Sequence, residues 1–339
     1  MNARVLSVAT LLVAAIGCGS SPVTSADGGG GDSSVAEAGG PGLDAGADAA
    51  TTSDAGAGAD ARPPTPCLDG TRPPTDSVWA VTAGGRERTF RVHVPPGYDP
   101  STPTPLVVNF HGVNCTSSQQ VLISQMPQKA DAAGFIVVHP DGVGKSWNGG
   151  TCCGQALSEN VDDVAFARAL LDDVEAKLCI DPRRVFVTGI SNGGYMTNRL
   201  GCELADRVAA IAPVAGGTLV SPCDPARPMP VLYFHGTADA IVPYEGGYLG
   251  GLPSAAKTFG DWAARNGCTD APVTTFTNGD VHCETYQTCA AGVEVTLCTI
   301  DGGGHTWPGG TPVPGLGETT TDISANDAMW EFFQRFPMP

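Results

Sequence analysis

The stretch RVFVTGISNGGYMTNRL, residues 184–200, changes character half-way along. It begins as a buried strand: Val185, Phe186 and Val187 are apolar, and β-branched residues are frequent. From Asn192 onward the pattern suits a helix. Between the two halves sits Gly189-Ile190-Ser191-Asn192-Gly193, followed by Gly194. Gly-x-Ser-x-Gly at a strand-to-helix joint demands so sharp a reversal that the serine backbone is strained. The residues two places to either side must be small, because they pass each other across the turn. The turn lifts the Ser191 hydroxyl above a sheet edge and aims a helix N-terminus at it.

Short apolar segments of the same kind surround it. PLVVNFHG (105–112), GFIVVHPDG (134–142), AAIAPVAGG (209–217), PVLYFHGTAD (230–239) and VEVTLCTIDGGGH (293–305) mostly end in Gly, Asp or Ser. Continuous apolar runs of this length mark parallel strands covered on both faces. TFRVHVPPGY (89–98) alternates instead, as an outer strand would. Helices are expected between the strands. Residues 162–178 place Val164, Ala167, Leu171, Val174 and Leu178 on one face, with Asp162 and Asp163 at the positive end. Residues 324–336 open on a capping serine. These alternations predict one α/β domain over residues 67–339, with an open, doubly wound, mostly parallel sheet.

The first 66 residues read differently. Residues 1–17 carry a short basic start and an apolar run from Val5 to Ile16, the pattern of a signal peptide. The run is too short to span a bilayer, which takes about 20 residues. It ends in Ala15-Ile16-Gly17-Cys18, which resembles a bacterial lipobox and predicts lipidation at Cys18, hence a membrane tether. Residues 18–66 are almost wholly Gly, Ala, Ser, Thr, Asp and Pro, and read as a disordered linker. Seven acids and a single base, Arg4, give residues 1–61 a charge of −6, which leaves −11 of the total −17 for the rest. Such a balance disfavours nucleic acid and anionic lipid as partners. Twelve cysteines in an exported chain predict disulfides and an extracellular or cell-surface location. Zinc-ligand spacing is absent, so no metal is expected.

A serine hydroxyl needs a base to become nucleophilic, and the base needs an orienting acid. In chain order the expected sequence is serine, acid, histidine. Of the six histidines, His282 and His305 follow the candidate acids. His282 lies in a stretch that reads as a strand or hairpin. His305 lies in the Gly-rich loop GGGHTWPGG after the last strand, where a catalytic imidazole would hang. Among the aspartates between Ser191 and His305, Asp239 ends a strand; Asp301 also does, but sits only four residues before His305. Asp239 is therefore the expected acid. An oxyanion site needs backbone N–H groups. Asn192, after the nucleophile, and Val113, in the loop after VVNFHG, are the candidates. His111 is expected to brace that loop.

The blocks NFHG, SWNGGTCCG, NVDDVAFARAL, CIDPRRVFVTGISNGGYMTNRLGCE, IAPVAGG, FHGTADAIVPY, WAARNGC and GGGHTWPGG resemble the α/β-hydrolase family of secreted poly(3-hydroxybutyrate) depolymerases and bacterial feruloyl and acetylxylan esterases. The resemblance covers most of residues 85–336. It implies Ser191, Asp239 and His305 as a triad, an ester substrate, and no metal or organic cofactor. A feruloyl or acetyl ester on plant polysaccharide is the expected substrate, and a polyhydroxyalkanoate polyester the alternative. A non-catalytic carbohydrate-binding surface protein on the same scaffold and an α/β-fold peptidase are the competing classes.

Two further expectations come from spacing. Five or six strand residues rise about 18 Å and ten helical residues descend about 15 Å. Cys179 and Cys202 could therefore meet beneath the sheet, and Cys115 could pair with Cys152 or Cys153 near the mouth of the site. Only about a dozen Pro-rich residues separate AAIAPVAGG from PVLYFHG, too few for a helical lid. An open groove is expected, suited to a polymer, with Trp147 and Trp307 offering flat apolar contact to substrate.

Overall fold

The computed structural model describes residue 67, residues 72–247 and residues 251–339. The expected signal peptide, the Cys18 lipidation site and the 18–66 linker lie outside these residues.

In chain order the elements are β1 (Asp76–Ala83), β2 (Arg86–His93), β3 (Thr104–Phe110), α1 (Ser117–Ser124), α2 (Met126–Ala133), β4 (Ile136–Pro140), α3 (Gly154–Ser158), α4 (Asp163–Lys177) and β5 (Ile180–Ile190). There follow α5 (Asn192–Glu203), β6 (Ala210–Val214), β7 (Val231–Gly236), α6 (Ala255–Arg265), β8 (Val273–Asn278), β9 (Val281–Tyr286), β10 (Val295–Ile300) and α7 (Ala325–Arg335). Among the described residues the strands form one ten-stranded sheet in the order β1-β2-β4-β3-β5-β6-β7-β10-β9-β8. From β4 through β10 neighbouring strands run parallel, while β1–β2, β2–β4, β10–β9 and β8–β9 are antiparallel. The molecule has the α/β-hydrolase architecture, with antiparallel ribbons added at both ends of a parallel centre.

The apolar runs explain the layering. Successive strand side chains point to opposite faces, so β5 and β7 each feed two cores. Val185, Val187, Val231 and Tyr233 enter one core together with Leu170 and Val174 of α4, Met196 of α5 and Trp262 of α6. Phe186, Leu232 and Phe234 enter the other, with Ile123, Met126 and Ala130 of α1 and α2 and Met329 and Phe333 of α7. Phe186 and Phe333 stack at 4.5 Å between centroids. A strand so buried on both sides cannot alternate polar and apolar residues, which is why the sequence shows unbroken runs.

Helix starts follow capping chemistry. The Asp162 carboxylate accepts from Ala165 N–H, and the Ser254 and Ser324 hydroxyls accept from Lys257 and Asp327 N–H. Asp163, in the first turn of α4, is buried against Arg88 of β2 at 2.8 Å. Residues 215–230, between β6 and β7, contain no helix, so no lid is inserted there.

The disulfides depart from expectation. Cys179 pairs with Cys67 and Cys202 with Cys223, so the Cys179–Cys202 bridge does not form. Rise along a strand and a helix fixes height but not direction. Cys179 meets the segment that precedes β1, and Cys202 meets the β6–β7 connection. Cys152 and Cys153 are paired with each other rather than with Cys115, which is also disulfide-bonded. Cys268–Cys289 and Cys283–Cys298 staple the far end of the sheet, the latter across β9 and β10.

Candidate active site

Ser191 sits between β5 and α5 with φ 60° and ψ −120°. This is a conformation that a non-glycine residue adopts only when its surroundings enforce it. The enforcement is steric. A Cβ on Gly189 would lie 2.7 Å from Phe110 O and 2.7 Å from Gly193 O. One on Gly193 would fall within the contact radius of Phe110 O. The turn therefore closes against the end of β3. The Ser191 N–H is tied to Val214 O of β6 at 2.9 Å.

Asp239 follows β7 and is 5% exposed. One carboxylate oxygen, Oδ1, accepts from the Ile241 and Val242 N–H groups at 2.9 and 2.8 Å. The other, Oδ2, lies 2.7 Å from Nδ1 of His305. Burial alone would raise the pKa of this carboxyl. Hydrogen bonding from His235 and His305 and the charge interaction with His305 outweigh it and hold the pKa well below the usual carboxylate range. His235 itself stands 3.5 Å from Oδ2 and donates principally to Val242 O at 2.7 Å, while the Tyr233 hydroxyl donates to its Nδ1. The ring thus braces the turn that carries the acid.

His305 hangs from the loop after β10. Its N–H donates to Leu316 O at 2.7 Å, and the preceding Gly304 N–H to Glu318 O at 2.9 Å. The loops after β7 and β10 are joined by Ala238 N–H to Gly303 O at 2.9 Å and Gly302 N–H to Thr237 Oγ1 at 2.8 Å. With Asp239 bonded to Nδ1, the opposite nitrogen, Nε2, is left for a reacting partner. Ser191, Asp239 and His305 all lie just beyond the carboxyl ends of β5, β7 and β10, on one edge of the sheet.

The β3–α1 loop passes beside the serine. A Cβ on Gly112 would lie 3.4 Å from Ser191 Cβ. Val113 follows directly and is half-buried. His111 is buried; its Nδ1–H donates to Gly112 O at 2.7 Å and its Nε2 accepts from Gly142 N–H at 3.0 Å. Burial lowers its pKa to about 4, so it stays neutral and serves as a brace.

Comparison with known proteins identifies the family of the chain. Residues 82–216 match the family model described as "Putative esterase". Feruloyl esterase C of Emericella nidulans is 31% identical over 255 residues, covering 73% of this chain and 83% of that protein. The chain belongs to this esterase family. Feruloyl esterase B of Piromyces equi is 40% identical over 238 residues, covering 64% of this chain; the chain spans only 42% of the length of that protein. The solved acetyl xylan esterase from Aspergillus awamori shares the fold, with TM-score 0.55, 18% identity, and coverage of 76% of this chain and 99% of that one.

Other expected site residues stand elsewhere. Trp147 and Trp307 are both 0% exposed, so neither offers a face to substrate. Trp147 lies edge-on to Phe110 and parallel to Phe166, and Trp307 packs in the core beneath α7. Each indole N–H is satisfied internally, by His111 O and by Asn326 Oδ1. Trp307 anchors the loop that carries His305, two residues away. His282 pairs within the β8–β9–β10 ribbon and lies 3.6 Å from the exposed Asp301, away from the Asp239–His305 pair. Among the described residues no group of three or more His, Cys, Asp or Glu is placed to hold a metal ion.

Sequence reading missed Tyr195, one helical turn beyond Ser191. It is buried, and burial together with the Asp239 charge raises its phenol pKa, so it remains protonated. An aromatic four residues after Ser191 is the available signal.

Proposed function

We propose that the chain is an exported serine ester hydrolase in which Ser191, His305 and Asp239 act together on feruloyl or acetyl esters of plant polysaccharide. The supporting observation is the 2.7 Å Asp239–His305 contact, on the same sheet edge as the strained Ser191 turn. Asp239, ionised and held by two backbone amides, fixes the tautomer with the proton on Nδ1. Nε2 then takes the proton of the Ser191 hydroxyl as Oγ attacks the ester carbonyl. The Asn192 and Val113 N–H groups receive the developing oxyanion, each donor worth about 3 kcal/mol of barrier. The imidazolium returns its proton to the departing alcohol, and water, activated by the same nitrogen, releases the acid.

The substrate class rests on the relatives named above. The loop without a helical cap at residues 215–230 favours a bulky ester chain. The disulfides suit an oxidising, extracellular compartment, in keeping with export through residues 1–17 and a lipid tether at Cys18. The test sets the unsubstituted chain beside Ser191→Ala on three substrates: feruloylated arabinoxylan, acetylxylan and a polyester emulsion. Release of ferulate or acetate that Ser191→Ala abolishes is expected. Clearing of the polyester alone would transfer the assignment to polyester depolymerisation. Equal turnover by both proteins would end it.

A further inference from the structure

The buried Trp147, without access to substrate, has another place in the site. Its backbone is gripped by the Asn192 carboxamide: Oδ1 accepts the Trp147 N–H at 2.7 Å, and Nδ2 donates to the Trp147 carbonyl at 2.9 Å. Its indole N–H donates to the His111 carbonyl at 2.9 Å. The His111 imidazole in turn holds Gly112 O at 2.7 Å, one residue before Val113. Asn192, Trp147 and His111 are each 0% exposed. The next residue, Asn148, has its N–H fixed by the buried Asp163 carboxylate at 2.8 Å.

We propose that Trp147 is a positioning residue for the oxyanion site, acting as a rigid spacer that sets the Asn192 amide and the Val113 loop relative to each other. The inference rests on the proposed serine hydrolase reading. The two amides come from segments far apart in sequence, the start of α5 and the β3–α1 loop. A hydrogen-bonded bridge runs from the Asn192 side chain through Trp147 to the His111 backbone. Because every atom of that bridge is out of solvent, water cannot substitute for a lost bond, and the loop would shift to find a new partner. Donors that serve an oxyanion must lie within tenths of an ångström of their working positions, and a shift of about 1 Å costs on the order of 100-fold in rate.

The decisive change removes one hydrogen and little else. 3-Benzothienylalanine at position 147 keeps the ring's size and loses the N–H; Trp147→Phe is the genetically simpler companion. Measured quantities are kcat and KM for an aryl acetate, and the inhibition constant of an aryl boronic acid that adds to Ser191 as a tetrahedral anion. Both variants are expected to lose about 10- to 100-fold in kcat with KM within about twofold. Boronate affinity should fall in parallel, since the analogue needs the same donors. A merely structural tryptophan would lower thermal stability and leave kcat and boronate affinity of the folded fraction unchanged; that result overturns the inference. Should Trp147→Phe fail to fold, the isosteric variant decides. Ser191→Ala separates the two levels. If it stays active, the hydrolase reading fails and the inference with it. If it is inactive while both position-147 variants match the unsubstituted chain, only the positioning role is lost.

Discussion

The two arms of the site are held in different ways. The Ser191 arm is fixed by exclusion: glycine 193 admits the end of β3 so closely that no side chain fits, and the serine backbone takes up the strain. The His305 arm is fixed by attraction. Backbone hydrogen bonds to residues 316 and 318 pin its Gly-rich loop, and the buried Trp307 anchors it. Steric exclusion yields a position that cannot relax without unfolding the turn. Hydrogen-bonded loops yield one that tolerates adjustment. The proposed reaction requires both, since its nucleophile must not move, whereas its imidazole must pass a proton between two oxygens.

The largest effect should come from cutting the attractive arm at its charged contact. Asp239→Asn keeps the side chain's shape but no longer enforces the Nδ1–H tautomer, and kcat on an aryl ester should fall by about 10⁴-fold. A loss under tenfold would remove Asp239 from the mechanism.

Next, the two arms should respond differently to one added methyl group. Gly193→Ala drives a Cβ into backbone atoms of β3, for a cost of about 3 kcal/mol or more. Gly302→Ala, in the His305 loop, meets nothing within 4 Å and bears only the strain of its φ of 74°, a cost of about 1 to 2 kcal/mol. Urea unfolding of both variants checks the contrast, and equal losses would break it.

Acid should weaken the proposed oxyanion side first. His111, with its pKa lowered by burial from 6.5 to about 4, and His139, lowered to about 3, are neutral when folded and protonate more readily when unfolded. Their stabilising contribution is complete above pH 6.5 and declines as the pH falls towards the folded values, for His111 by about 3 kcal/mol at pH 4. Asp239 has the opposite charge type but a likewise depressed pKa. Its contribution persists until the pH falls below the ordinary carboxylate value of 3.8. Unfolding free energies at pH 7, 5 and 4 should therefore decline, and His111→Gln should flatten the slope. A flat profile in the unsubstituted chain would contradict the neutral brace.

The smallest effect belongs to Tyr233→Phe. Removing the hydroxyl that donates to His235 loosens the ring behind the acid turn, for a stability cost of about 1 kcal/mol and a fall in kcat of less than tenfold. A hundredfold fall would make His235 a partner in proton transfer rather than a brace.

What could be read from the sequence follows the same division. The turn around Ser191 was legible because its demands are local: small residues at fixed offsets between a strand pattern and a helix pattern. The parallel centre was legible because strands covered on both faces leave unbroken apolar runs. Asp239 and His305 could be chosen by their place after strands. Contacts between distant segments were not legible. Nothing within a few residues of Trp147 says that Asn192 will grip its backbone, so an aromatic next to a loop read as a substrate contact. The disulfides failed likewise, because matching heights do not fix lateral separation: Cys179 and Cys202 line the same core yet bond to other partners. The partners of Cys179 and Cys202, Cys67 and Cys223, lie in connecting segments with no periodicity to place them.

The most direct test of the central claim labels the chain with a fluorophosphonate and locates the adduct by peptide mass spectrometry. One hydroxyl activated by the Asp239–His305 pair predicts a single modified peptide containing Ser191, with labelling lost in His305→Ala. An adduct on another residue, or undiminished labelling of Ser191 without His305, would contradict the account.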